Sequence, residues 1–488
     1  MALERLDAVV IGASIEGLVA AALLAKAGRA VTVVERQSAS APLGAGQDGV
    51  ISVATARALD LTEFGLRFVA PPPVAGISGG RALVLWPDAH AACASIAAFS
   101  PRDAEATDAF RARISRAASG ADGQSVISWL TSGAGAPDDP MSFRVSSLAR
   151  ILDETFDNDL LKGVWAQGAV AGTGASPTAP GSGVLLARSW MLAGVSPESG
   201  YRFVAGGQTR LRQVLLDQLR HYNNADVRFS TEASEIAAER DVIQGVTLSD
   251  GSMMRTPLVI SSLAPDRNRE MLTGFRRPPP SSTATRIGVS PALIKLTLGA
   301  LPEFPGLDAA TLTSGAIVML DPSIVRLTRA HGAFSERTLA SEPCIDMRLS
   351  PRAAVDGKQR WDMFVAMTYL PLMTNEGPWA GNRRDRLRTL CVRAINGLAP
   401  SFGAAIEAAE ILHPGESETV MDPKGVAALN AMAALDLTGV PESRAASADQ
   451  LVKGLTVLDP SIYGSEGDAG ILAARAILGG RAKAGLDA

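Results

Sequence analysis

The chain has 488 residues, of which 47% are hydrophobic and 20% charged. That is enough for a sizeable core and, at the usual ~100–200 residues per domain, for two to four domains; it excludes a disordered chain or a small stapled fold. Its 46 basic and 50 acidic side chains give a net charge of −4, which offers no electrostatic footprint for nucleic acid.

The N-terminus puts Glu4, Arg5 and Asp7 ahead of its first apolar run, and Glu16 interrupts the apolar stretch beyond it, unlike a secretory leader. No apolar run approaches the ~18–20 residues that span a bilayer, so any membrane contact is expected to be peripheral. Asp7 to Ile11 and Ala30 to Glu35 are short β-rich runs on either side of the small, helix-favouring stretch Gly17 to Ala27. The turn Gly12-Ala13-Ser14-Ile15-Glu16-Gly17 has the spacing of a dinucleotide fingerprint, and Glu35 stands 18 residues after Gly17, where a ribose-binding acid belongs. In such a turn the first glycine makes the bend, the second lets main chain approach a pyrophosphate, and the third lets helix and strand pack closely. Ser14 replaces the second glycine, and Glu16 adds a carboxylate that suits the helix dipole but repels a diphosphate.

Further along, Gly206-Gly207 precedes a predicted helix over Thr209 to His221, and Val227 to Ser230, Val242 to Leu248 and Leu258 to Ser262 read as strands. Near the C-terminus, Gly454 to Leu458 is strand-like, and Gly467-Asp468-Ala469-Gly470 opens a helix over Ile471 to Leu478. These pieces predict an α/β fold: a Rossmann-like dinucleotide-binding domain assembled from three chain segments, 1–62, 200–269 and 441–488. Residues 63–199 and 270–440 mix helices such as Ala104 to Ala118 with strands such as Ala292 to Leu298 and Trp361 to Tyr369. They predict an inserted α+β substrate domain, with triple prolines at Pro71 and Pro278 near the crossings.

Other chemistry is sparse. His90, His221, His331 and His413 lack metal-ligand spacing, and Cys93, Cys344 and Cys391 lack a CxxC pair, which argues against a metal centre or a disulfide framework and for a reducing cytoplasm. Arg276-Arg277 suits a solvated interdomain loop better than an anion grip. Lys295 alternates with apolar residues and points either to solvent or to a substrate cavity. Trp165, Trp190, Met191, Trp361 and Met363 suit core packing better than a pocket wall.

Taken in order, the fingerprint through Glu35-Arg36, Gly163-Val-Trp-Ala-Gln-Gly to Pro180-Gly181-Ser182, Tyr201 to Gly207, Asp250-Gly251 to Pro265, Pro291 to Pro302, Trp379 and Gly470 to Arg475 resemble the phytoene-desaturase-like flavoproteins of the amine-oxidase superfamily. This resemblance implies an FAD-binding domain, a substrate domain covering the flavin, and hydride removal from a fairly apolar small molecule. It also implies a cofactor-binding set of Gly12, Ser14, Gly17, Glu35, Arg36, Gly44, Gly46, Ala233, Gly467 and Gly470, and it names no catalytic acid–base pair. NAD fits the fingerprint alone, but not the three-piece architecture.

The departures fall where the flavin belongs. The family's twin glycine is broken by Ala45, the lining segment up to Thr62-Glu63-Phe64-Gly65 is short, and Asp459-Pro460 stands where a glycine N–H would meet phosphate. The turn Tyr463-Gly464-Ser465-Glu466-Gly467-Asp468 adds two more acids. Erosion at three separated pieces predicts a degenerate subunit, with FAD bound weakly or lost, that pairs with an intact flavin-bearing paralogue or with itself. The alternative is an active FAD-dependent dehydrogenase or oxidase.

Overall fold

The computed structural model describes residues 6–39, 49–119, 143, 145–171, 174–192, 201–263, 265–274, 292–355, 357–371, 374–377, 379–412, 453–458 and 467–484. Its first strand, β1 (Ala8–Ile11), and its neighbour β2 (Val31–Val34) are buried along their whole length, as a β-branched run covered on both faces requires. Between them α1 (Ile15–Lys26) starts on Ser14, whose hydroxyl accepts the Gly17 N–H, and stops as Gly28 takes φ +80°.

Three separated parts of the chain complete one five-stranded sheet. In spatial order it runs β19 (Leu455–Val457), β12 (Val259–Ser261), β1, β2, β8 (Ala225–Arg228), and every pair is parallel. Alternation along the strands divides the burial. Val10, Val31, Val33 and Ile260 pack under α1 with Leu211, Leu215 and Leu219 of α6 (Gly207–His221) and Ile471 of α9 (Asp468–Ala484). Val9, Ile11, Val34, Val259 and Leu455 pack instead with Ile236, Ile243 and Val246 of a second sheet. That sheet has the order β11 (Met253–Arg255), β10 (Val242–Leu248), β9 (Ala233–Glu239), β13 (Leu272–Thr273). A small antiparallel sheet, β3 (Val50–Ser52), β7 (Tyr201–Val204), β4 (Phe68–Val69), ties the first segment to the second.

The intervening regions meet in a seven-stranded sheet. Its order is β18 (Ile406–Leu412), β14 (Ala292–Leu298), β17 (Lys358–Thr368), β16 (Cys344–Val355), β15 (Ile317–Leu320), β5 (Val74–Ser78), β6 (Arg81–Leu85). β5 and β6 come from the first intervening region and the other five from the second, joined by the parallel pair β15–β5. One face packs on α8 (Asn382–Asn396) through Leu387, Cys391 and Ile395. The other packs on a helical layer of α2 (Pro101–Ser119), α3 (Leu148–Thr155), α4 (Asp159–Val170), α5 (Val184–Leu192) and α7 (Ile324–Ser335). Trp165 and Trp190 stack in that layer with ring centroids 5.8 Å apart, and Trp190 donates to Ser115 at 3.0 Å. Met363 is fully buried in the opposite core, so Trp165, Trp190 and Met363 are packing residues.

Lys295 reaches Asp362 at 3.6 Å, and Asp362 also engages Arg352 at 3.5 Å and Thr297 at 3.3 Å. The lysine thus ends in a polar cluster across β14, β17 and β16. Arg276, Arg277, Pro278 and His413 lie outside the described residues.

Candidate functional site

The site grows from the turn between β1 and α1. Gly12 takes φ +95°, and a Cβ there would lie 2.3 Å from the Ser262 hydroxyl, which packs across from the end of β12 and donates to the Ile11 carbonyl at 3.1 Å. A Cβ on Gly17 would lie 2.4 Å from the Gly12 carbonyl oxygen and 3.2 Å from Val10. Both glycines are therefore demanded by the fold itself, whatever is bound.

Position 14 is different, since its side chain has room and a job. The Ser14 hydroxyl accepts the Gly17 N–H at 3.1 Å, which places an oxygen over the first turn of α1. Glu35, just past β2, turns both carboxylate oxygens onto main chain: Oε2 accepts the Ala13 N–H at 2.7 Å and Oε1 the Gln37 N–H at 2.9 Å. Arg36 is exposed at the edge of this turn.

Glu16 points the other way. Its buried carboxylate accepts the Gly467 N–H at 2.7 Å and the Gly470 N–H at 2.9 Å, at the start of α9. The two helices touch there through glycine: a Cβ on Gly470 would lie 2.3 Å from the Glu16 carbonyl oxygen, and Gly467, at φ +91°, packs on Val19 and Thr55. The sequence reading of Glu16 as a charge facing a diphosphate is corrected here, because its oxygens are turned onto a second helix N-terminus. The N-termini of α1 and α9 thus meet around one internal carboxylate.

Of the remaining expected positions, Ala233 is buried at the start of β9 with Val9 and Ile11, on the face of the parallel sheet opposite α1. Gly44, Gly46, Ala45, Asp459, Pro460 and the run Tyr463 to Glu466 lie outside the described residues. The structure therefore brings Gly12, Ser14, Gly17 and Glu35 together, with Gly467 and Gly470 joined to them through Glu16.

One residue at this site escaped the sequence reading. Arg212 of α6 is 6% exposed, donates to the Ala13 carbonyl at 3.4 Å and lies over the Phe229 ring at 5.4 Å. Burial pulls its guanidinium down from the ordinary range, with the nearby Glu35 carboxylate opposing. The signal was there: Arg212 falls on the helix face that carries Leu211, Leu215, Leu216 and Leu219, where a charge needs a reason.

Elsewhere the chemistry is structural. Among the described residues no group of three or more His, Cys, Asp or Glu could hold a metal, and no helix is long and apolar enough to cross a membrane. Cys344 and Cys391 are buried thiols pushed up to about 12, where they do not ionise at neutral pH. A polar cleft of about 330 Å³ between β5, α4 and α7 holds the pairs Arg326–Asp321 at 3.3 Å and Arg329–Glu342 at 3.7 Å.

Asp346 of β16 makes a measurable pH signature. Desolvation pushes its carboxyl up to about 6, against the hydrogen bond that Gln167 donates at 2.6 Å. A carboxyl that binds its proton more tightly folded than unfolded weakens folding above its folded pKa, and that penalty vanishes below the unfolded value near 4. Asp346→Asn is therefore expected to be more stable than the parent at pH 7.5 by about 1–3 kcal/mol, with the difference closing between pH 6 and pH 4. Urea midpoints across that range measure it.

Comparison with known proteins agrees with this architecture. A family model described as an NAD(P)-binding Rossmann-like domain matches residues 10–41. The chain is 24% identical over 288 residues to the Mus musculus "Pyridine nucleotide-disulfide oxidoreductase domain-containing protein 2", covering 56% of this chain and 49% of that protein. The Rattus norvegicus protein of the same name is 24% identical over 294 residues, covering 57% and 50%. The chain thus spans about half the length of the curated relatives it matches. Among solved structures, wild-type putrescine oxidase bound to putrescine superposes with a TM-score of 0.55 at 14% identity, covering 97% of this chain and 99% of that one. An oxidoreductase from Methanosarcina mazei gives 0.55 at 15% identity, covering 96% and 99%. The chain has the fold of the FAD-dependent oxidoreductases of the amine-oxidase type and opens on a Rossmann-like dinucleotide segment.

Proposed function

We propose that this chain is a flavoprotein-fold subunit that holds FAD weakly or not at all and acts as the partner of an intact, flavin-bearing relative. The observation that carries this reading is the self-satisfaction of the phosphate turn. Ser14 already caps the α1 amide of Gly17, and Glu35, the residue suited to a ribose, is bonded by one oxygen to the Ala13 N–H of the glycine turn and by the other to the Gln37 N–H beyond β2. A diphosphate at this turn would displace the Ser14 oxygen and lie beside the Glu35 carboxylate, so the residues present do not fit it and no redox step is assigned to the chain. The surface that would otherwise cover a cofactor would then serve for contact with a flavoprotein of the same architecture.

A second reading keeps an active FAD enzyme acting on a fairly apolar small molecule. It is favoured by the whole-chain likeness to a putrescine oxidase.

The two separate in one measurement. After incubation with excess FAD and desalting, the purified chain is expected to keep less than about one flavin per ten chains, the result for a dissociation constant of tens of micromolar or weaker. Near-stoichiometric flavin, seen in the visible spectrum and after release, would establish the second reading. Purification from the native source is expected to yield a stoichiometric complex with a yellow relative.

A further inference from the structure

We infer that Glu16 is an internal anionic lock: its carboxylate holds the N-terminus of α9 on the N-terminus of α1, so that the C-terminal helix docks without a cofactor. The inference rests on the cofactor-free reading of the site.

Two helices that meet N-terminus to N-terminus bring like partial charges together, an arrangement that needs negative charge between them. An enclosed junction also needs acceptors, because first-turn amides have no partner within their own helix. Glu16 supplies both. It is 4% exposed, belongs to the first turn of α1, and accepts the Gly467 and Gly470 N–H groups at 2.7 and 2.9 Å. The rest of the contact is built for this reach. Gly470 has no side chain to hold the helices apart, and its missing Cβ would meet the Glu16 carbonyl oxygen at 2.3 Å and the Ala20 nitrogen at 3.1 Å. Gly467 takes φ +91° so that its N–H can turn toward the carboxylate. A packing residue alone would need neither the charge nor the two amides.

The test is chemical rescue of stability in the full-length chain. Glu16→Ala keeps helix propensity and leaves a carboxylate-sized space, whereas Glu16→Gln fills that space but presents an amide NH2 to one of the two N–H donors. Thermal unfolding of both variants and of the parent would be followed in sodium formate, sodium acetate and sodium phosphate, each against sodium chloride of equal ionic strength. Glu16→Ala is expected to lose about 2–6 °C in Tm and to regain at least half of that in formate, while the parent and Glu16→Gln show no anion-specific gain. A Glu16→Ala variant that responds to formate no more than the parent would overturn the inference. If Glu16→Ala does not fold, limited proteolysis of Glu16→Gln decides: cleavage first within 468–484 supports the lock, and protection of α9 equal to the parent refutes it. Flavin content of the same parent preparation is read separately, so that retained FAD would sink the cofactor-free reading while the anion response alone judges Glu16.

Discussion

Gly17→Val is expected to yield little soluble protein and, where it folds, to be destabilised by more than about 4 kcal/mol, while Ser14→Gly three residues away changes stability by about 0.5 kcal/mol or less. Valine at 17 would drive a Cβ to within 2.4 Å of the Gly12 carbonyl oxygen and crowd Val10, so α1 would have to lift from β1. Neither partner can yield: Gly12 is itself fixed at φ +95° against Ser262, and α1 is buried between the sheet and α9. At 14 the serine contributes only a cap to Gly17, and glycine is nearly as good in that place. Urea unfolding of the two variants measures the contrast. Its meaning reaches past stability, because a fingerprint glycine needed for the turn is separated from one needed only by a ligand. Glycine stands where the main chain demands it, at 12 and 17, and a side chain stands at 14, where the demand would come from a phosphate.

That distinction also marks what was legible in the sequence. The βαβ opening, the helix before His221 and the strand–helix pair at the C-terminus are visible because local signals agree: β-branched runs, glycine at the bends, an alanine-rich helix. Their assembly into one parallel sheet is a long-range fact, since β12 pairs with β1 across about 250 residues of chain and β19 with β12 across about 200 more. It became readable through the resemblance of the whole order of motifs and not through any one of them. Glu16 shows the limit. Its place in the turn is plain in the sequence, and so is its charge, but its partners Gly467 and Gly470 are more than 450 residues away, so the direction of its side chain could not be derived from the turn alone. Arg212 is the opposite case: its place on the buried face of α6 was visible, but its helix reads as amphipathic with or without it.

Gly163→Ala is expected to destabilise the chain by about 3–5 kcal/mol although it improves the helix propensity of α4 by about 1 kcal/mol, and Gly163→Val is expected not to fold. The steric effect wins by distance. A Cβ at 163 would sit 1.9 Å from the Pro322 carbonyl oxygen and 2.3 Å from its carbon, so the clash is with main chain that no rotamer can relieve. The turn at Pro322 cannot retreat, because it leads from β15 into α7, whose Leu327 and Phe334 are buried in the helical layer, and it packs on Gly76 of β5. Gly76 is close-packed in another way: a Cβ there would meet the Val164 side chain at 2.4 Å and the Leu160 side chain at 3.1 Å, so α4 lays its side chains directly over the β5 main chain. Gly168 on the same helix is the control. Its nearest neighbour would be the Met319 methyl at 3.7 Å, and Gly168→Ala is expected to stabilise by about 0.5–1 kcal/mol through propensity alone. Denaturation midpoints for the two alanine variants should move in opposite directions; equal shifts would mean that α4 is free to slide on the sheet. The same close approach then fixes the height of the helical layer over the seven-stranded sheet.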